Sequence, residues 1–367
     1  MNITKEKVLE ALSHVDDPDL RKDLVTLGMI KNLSIEDNKI AFTVELTTPA
    51  CPMKEAIKGA CLNAIKLMVS KDAEVNITMS SKVTSHRKDG DSVLPGVKNI
   101  IVVVSGKGGV GKSTVSTNLA IGLGKMNAKV GLLDADIYGP SLPIMMGLKG
   151  QKPPMVSVDG KHMISPIEKN GIKAMSIGLL VDEKQAVVWR GPMVSSALRQ
   201  FITDVYWGEL DYLIIDMPPG TGDIHLTLVQ TVPVTGAVVV TTPQDVALAD
   251  ASKAVSMFSM GQIKVPVLGV VENMAYFTPV ELPDNKYYIF GKDGGKKLAD
   301  EFQIPLLGQI PLVQGIREGG DNGLPAVLNN DETITKQAFE DLASTVAQQI
   351  AIRNAQLSPT KVVEMVK

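Results

Sequence analysis

The pattern of apolar and polar positions changes character about a quarter of the way along the chain. Over residues 1–84 short apolar stretches are interrupted by polar ones. Val8, Leu9 and Leu12 recur at helical spacing behind Thr4, whose hydroxyl can cap the helix. Residues 30–35 and 40–46 read as strands joined by a Glu36-Asp37-Asn38 turn. Ile57, Cys61, Ala64, Ile65 and Met68 stack on one side of a helix spanning about 53–69, and 75–79 reads as a third strand. The pattern predicts a small α+β domain over 1–84. Residues 85–96, rich in charge and in helix breakers, read as a linker.

Beyond the linker, runs of Val, Ile and Leu at 100–104, 129–133, 211–215, 236–241, 267–271 and 305–309 alternate with helical segments near 113–126, 194–204, 246–260, 294–302 and 332–352. Strands without polar alternation are covered on both faces. Residues 97–356 are therefore expected to form an α/β domain, a mostly parallel sheet with helices on both faces. Residues 357–367 read as a flexible tail. Ligands on such sheets bind at the carboxyl ends of the strands.

One such strand end carries the densest chemistry. Gly106-Lys107-Gly108-Gly109-Val110-Gly111-Lys112-Ser113, followed by Thr114, satisfies G-x-x-x-x-G-K-[ST] between a strand and a helix. This is a phosphate-binding loop of a P-loop NTPase. Its glycines let backbone N–H groups approach phosphate oxygens, and the helix start favours negative charge. Lys112 is placed for the β- and γ-phosphates of ATP, and the Ser113 hydroxyl for Mg²⁺. Two further strands end in acids. Asp134 and Asp136 follow one, and Asp216 follows the other, ahead of Met217-Pro218-Pro219-Gly220-Thr221-Gly222-Asp223. Asp216 is assigned to Mg²⁺ through water, Asp134 to the metal shell, and Asp136 to the attacking water; the competing reading makes these acids caps or solvated loop residues. The segment 218–223 can sense the γ-phosphate.

Lys107 exceeds what an ordinary phosphate loop needs. It either reaches a second nucleotide across a dimer, as an arginine finger does, or is a solvated loop lysine. Asn273, past the 267–271 strand, either reads a base edge or forms a turn. Cys51, between a strand and a helix, is either a reactive thiol activated by the helix start or a buried inert one. Cys61 lies on an apolar stripe, and no cysteine follows it.

The bulk properties narrow the partners. The chain has 367 residues, 44% hydrophobic and 21% charged, with a net charge of −3. That balance gives no electrostatic case for nucleic acid or anionic lipid. No apolar run approaches a membrane span, the N-terminus lacks the apolar core of a signal peptide, and two cysteines make no disulfide scaffold. A cytoplasmic location is expected.

The lysine-bearing loop, the segment 134–141 and the segment 216–223 together resemble the Mrp/ApbC ATPases. The resemblance continues through Trp189-Arg190-Gly191-Pro192, Glu272-Asn273-Met274 and Tyr288-Ile289-Phe290-Gly291. These ATPases are iron–sulfur cluster carriers in the wider class of dimeric P-loop ATPases that includes MinD and ParA. Asp16-Asp17-Pro18-Asp19, Leu27-Gly28-Met29 and Leu46-Thr47-Thr48-Pro49-Ala50-Cys51-Pro52 resemble a small domain found in Fe–S assembly factors. The resemblance implies a homodimer with ATP at its interface, Lys107 acting in trans, Asn273 on adenine, a 4Fe–4S type cluster, and apo client proteins or assembly scaffolds as partners. The alternative is a positioning ATPase of the MinD/ParA kind without cluster carriage. The chain departs from the family pattern in one respect. The stretch 276–286, where family members carry Cys-x-x-Cys, has no thiol, which leaves Cys51 as the candidate Fe–S ligand.

Overall fold

The computed structural model describes residues 3–49, 51, 53–85, 87, 93–181, 191–261, 263–279, 281–282, 284–330 and 333–363. The chain divides into two units, 1–84 with 347–357, and 85–346 with 358–367.

The small unit is built as its pattern suggests. Helix α1 (Lys5–Leu12) starts where Lys7 N–H donates to Thr4 Oγ1 at 3.4 Å. Strands β1 (Ile30–Glu36) and β2 (Lys39–Leu46) form an antiparallel hairpin. Helix α2 (Lys54–Met68) then returns the chain so that β3 (Glu74–Ser81) pairs parallel to β2. Val8, Leu12, Leu24, Ile40, Ile57, Cys61 and Ile65 form the core between helices and sheet. Residues 347–357 group with this unit, whereas the apolar pattern assigns them to the larger one. Side-chain bonding is the reason: Gln348 donates to Asp19, and Asn354 Nδ2 donates to the Thr84 carbonyl at 3.1 Å.

In the large unit the strands are β4 (Val97–Val104), β5 (Val130–Asp134), β6 (Ile167–Lys169), β7 (Ile172–Ser176), β8 (Leu210–Asp216), β9 (Gly236–Thr241), β10 (Val267–Glu272) and β11 (Leu306–Gln309). They form one sheet in the order β6-β7-β5-β8-β4-β9-β10-β11. Only β6 runs antiparallel. The helices are α3 (Lys112–Lys125), α4 (Gly191–Thr203), α5 (Asp223–Val229), α6 (Asp245–Ser259), α7 (Gly294–Phe302) and α8 (Thr333–Gln356). Residues Ile100, Ile101, Val102, Val103 and Val104 are all fully buried. Each such side chain contributes roughly 1.5–3 kcal/mol on leaving water, which fixes β4 in the centre of the sheet. The register then aligns the chemistry: Asp216 pairs with Asp134 on one side and with Val103 on the other.

Within 85–96, Arg87 Nη1 donates to the Leu94 and Val97 carbonyls at 2.7 and 2.8 Å; residues 86 and 88–92 lie outside the described set. The tail is not free as far as residue 363, since Val363 N–H donates to the Val229 carbonyl at 2.9 Å and the side chain packs on the core. The pattern also missed the edge strand β6, its neighbour β7 and the short helix α5, all too brief to establish a period. Among the described residues no helix is long and apolar enough to cross a membrane.

Candidate nucleotide site

After β4 the chain turns through Ser105 into the 106–111 loop. Gly109 and Gly111 hold φ near 84° and 83°, left-handed conformations that glycine adopts at little cost. Neighbours also demand glycine. A Cβ on Gly106 would lie 2.1 Å from the Asp250 carbonyl carbon of α6, and one on Gly111 would lie 2.1 Å from Asn273 Nδ2. Asn273, buried past β10, donates to the Val110 carbonyl at 2.8 Å. One of its two amide N–H groups is thus spent on the loop backbone. Gly108 and Gly109 are exposed, as is Lys107, whose ammonium has no hydrogen-bond or ion-pair partner among the described residues.

Lys112 opens α3 and is buried. Its Nζ lies 2.6 Å from Asp216 Oδ1 and donates to Ser113 Oγ at 3.3 Å. Ser116, one turn on, donates to Asp216 Oδ1 at 2.8 Å or to the Lys112 carbonyl at 3.0 Å, with one proton for two acceptors. A buried ion pair of this kind adds little net stability but is costly to break on one side.

Asp134 is deeper still. Its Oδ1 accepts from Asp136 N–H at 3.1 Å, and its Oδ2 from Leu142 N–H at 3.2 Å and Ser176 Oγ at 3.0 Å. Burial, reinforced by the Asp216 charge, pushes its carboxyl up to about 7. Those donors make Asp134 the organiser of the 135–142 loop. Asp136, half-buried, accepts from Gly139 N–H at 3.3 Å, and burial raises its carboxyl while the Lys112 charge works the other way. The Lys112 charge is therefore felt by Asp134, Asp136 and, beyond them, His225. One ammonium is the focus of the whole strand-end cluster.

Sequence reading missed Ser116, Ser176 and His225. The first was recoverable in principle, because Ser116 stands four residues after Lys112 on a helix, whereas Ser176 meets Asp134 only through the strand register.

Cys51 lies apart from this cluster, in the small unit. It is half-buried, and α2 begins only at Lys54, with no side-chain cap at Met53. Burial pushes its thiol up, a backbone hydrogen bond from Met53 at the helix start works the other way, and the charges of Asp19 and Asp17 add to the rise. Cys61 is fully buried and pushed up to about 11. Phe277 and Tyr287 exchange reciprocal backbone bonds of 2.8 Å, and Lys286 Nζ lies 4.0 Å from the Tyr276 ring centre. Trp189 and Arg190 lie outside the described residues.

A buried parallel sheet, a glycine loop leading into a helix that opens with lysine, and an acid at the adjoining strand tip define a P-loop nucleoside triphosphatase. Comparisons with known proteins sharpen this. The family described as NUBPL iron-transfer P-loop NTPase matches residues 96–347, and that described as iron-sulfur cluster assembly protein matches residues 5–77. The chain belongs to the NUBPL iron-transfer P-loop NTPase family. It is 47% identical over 351 residues to the iron-sulfur cluster carrier protein of Synechocystis sp., covering 95% of this chain and 99% of that one. The protein of the same description from Escherichia coli (strain K12) is 45% identical, covering 94% and 91%. A nucleotide-binding protein from Archaeoglobus fulgidus, solved in complex with ADP, is 39% identical with a TM-score of 0.56, covering 67% of this chain and 93% of that one.

Proposed function

We propose that this chain is a cytoplasmic ATP-hydrolysing carrier or assembly factor for iron–sulfur clusters, working as a nucleotide-switched homodimer. The observation that carries the reading is the buried Lys112–Asp216 pair of 2.6 Å beneath a glycine loop. A triphosphate on loop residues Gly106, Gly108, Gly109, Val110, Gly111, Ser113 and Thr114 competes with Asp216 for the Lys112 ammonium. Phosphate draws Lys112 outward, and the Asp216 carboxylate is freed for the metal side of the site. Magnesium, held by the Ser113 hydroxyl with Asp216 behind it, supplies positive charge against the β- and γ-phosphate oxygens. Asp134 keeps its three donors and thereby holds Asp136 in place to orient the attacking water. Lys107 reaches the nucleotide of a second copy. Asn273 braces the loop through one N–H to Val110, so any contact with adenine falls to its second N–H or its Oδ1.

The cluster is cargo, and this chain offers few thiols for it. A four-thiolate shell needs ligands from outside the chain, because Cys61 is a buried core residue and Cys51 stands alone. We assign the remaining ligands to an apo client or an assembly scaffold, with Cys51 the one candidate from this chain. Anaerobic reconstitution with iron and sulfide, wild type beside Cys51→Ala and with or without a thiol-bearing client, tests this. Cluster absorbance that depends on the client and falls in Cys51→Ala is expected. Full cluster loading of Cys51→Ala alone contradicts it.

A further inference from the structure

Helix α5 begins directly after the 217–222 loop and carries His225 in its first turn. The ring is 2% exposed and meets Phe258 of α6 edge-on, with ring centres 6.5 Å apart. Neither Nδ1 nor Nε2 has a hydrogen-bond partner. Leaving a buried polar group unsatisfied is costly, and each such group in a native protein calls for a reason. The backbone of Gly222 and of Pro218 lies near enough to favour the protonated ring, yet neither carbonyl closes a hydrogen bond. Burial outweighs them and, helped by the Lys112 charge, brings the ring down to about 4. It is neutral at ordinary pH, with one N–H to give.

Its position is specific. The chain from Asp216, which holds Lys112, to His225 is only the loop that carries those two carbonyls. The helix bearing Phe258 is the one whose Asp250–Ala251 backbone abuts Gly106. The idle ring therefore sits between the two elements that touch the phosphate loop. A small shift of 217–222 is the movement that would give it a partner.

We propose that His225 is a positioning residue for ATP hydrolysis: when Lys112 exchanges Asp216 for phosphate, the ring N–H takes a carbonyl of the 217–222 loop and holds that loop in its hydrolytic arrangement. The proposal rests on the ATPase reading above and adds to it the residue that latches the loop. It also explains why an imidazole, rather than an apolar side chain, occupies this buried position against Phe258.

The test uses the full chain. His225→Phe keeps the ring volume and the contact with Phe258 but removes the donor, whereas His225→Gln restores a donor. In steady-state turnover His225→Phe should lower kcat about tenfold, the effect of one lost hydrogen bond, while ATP affinity stays within about twofold. His225→Gln should recover turnover to within about threefold of wild type. In wild-type protein carrying ¹⁵N-labelled histidine, the His225 imidazole signals, identified by their loss in His225→Gln, should shift between ADP and a non-hydrolysable ATP analogue. Undiminished turnover in His225→Phe, equal impairment of both variants, or imidazole signals indifferent to the analogue would each overturn the latch. Failure of the wild type to bind ATP would instead remove the nucleotide reading beneath it, a result none of the other outcomes mimics.

Discussion

The phosphate-loop end of the large unit and the Cys51 corner of the small one show how differently two candidate sites can be prepared. At the first, Lys112, Asp216, Asp134 and Ser176 are buried together, and each polar group is held by another. At the second, burial raises the pKa of a half-buried thiol, the charges of Asp19 and Asp17 add to the rise, and only a backbone hydrogen bond from Met53 opposes them. The first environment stores charge for use, whereas the second suppresses it. The ATPase machinery is thus built into this chain, while on the proposed reading the cluster ligands come mainly from another protein.

That contrast can be broken most decisively at Lys112. Lys112→Ala should reduce ATP turnover by about a thousandfold or more and abolish measurable binding, because the loop loses its one buried cation. Retained affinity in calorimetry would break the comparison outright. Lys107→Ala should cut turnover about a hundredfold with ATP affinity nearly unchanged, a split visible by measuring kcat and binding separately. Equal losses in both would make Lys107 a simple ligand.

Smaller effects sharpen the picture. Gly111→Ala, at positive φ and against Asn273, should lower stability by about 1–3 kcal/mol in chemical denaturation, while Gly108→Ala, whose nearest neighbour is 3.9 Å away, should cost far less. Similar midpoints for the two would mean that Asn273 does not brace the loop. At pH 8, Cys51 should alkylate several-fold more slowly than the same thiol in denaturant, and its rate should keep climbing above pH 9, because a raised pKa leaves less thiolate at any given pH. Cys61 should stay protected throughout. Alkylation of native Cys51 faster than in denaturant would erase the distinction between the two sites.

The parts legible in the sequence were those whose physics is local. Near-continuous Val and Ile runs can only be strands covered on both faces, and β9 and α7 fall at the spans that the pattern predicts. The glycine loop is equally local, since backbone geometry and the following lysine are fixed by adjacent residues. Partner choice across the sheet was not legible. Asp134 reads as a metal-shell acid in the chain, but no local pattern records that it also accepts from Ser176 Oγ and Leu142 N–H. Asn273 reads as either a base contact or a turn residue, and its hydrogen bond to the Val110 carbonyl is a tertiary contact that neither reading contains. Cys51 precedes a helix in sequence, yet the helix start lies three residues away and two acids surround the thiol. The burial of His225 follows from Phe258, 33 residues further along the chain, and no local period records that contact.

The central claim is that Asp216 and phosphate compete for one buried ammonium. Isothermal titration of ATP with magnesium into Asp216→Asn, beside its turnover, tests this directly. Removing the competing charge should leave ATP bound at least as tightly as in wild type while hydrolysis falls about a hundredfold or more. Loss of ATP binding, or hydrolysis at the wild-type rate, would contradict the account.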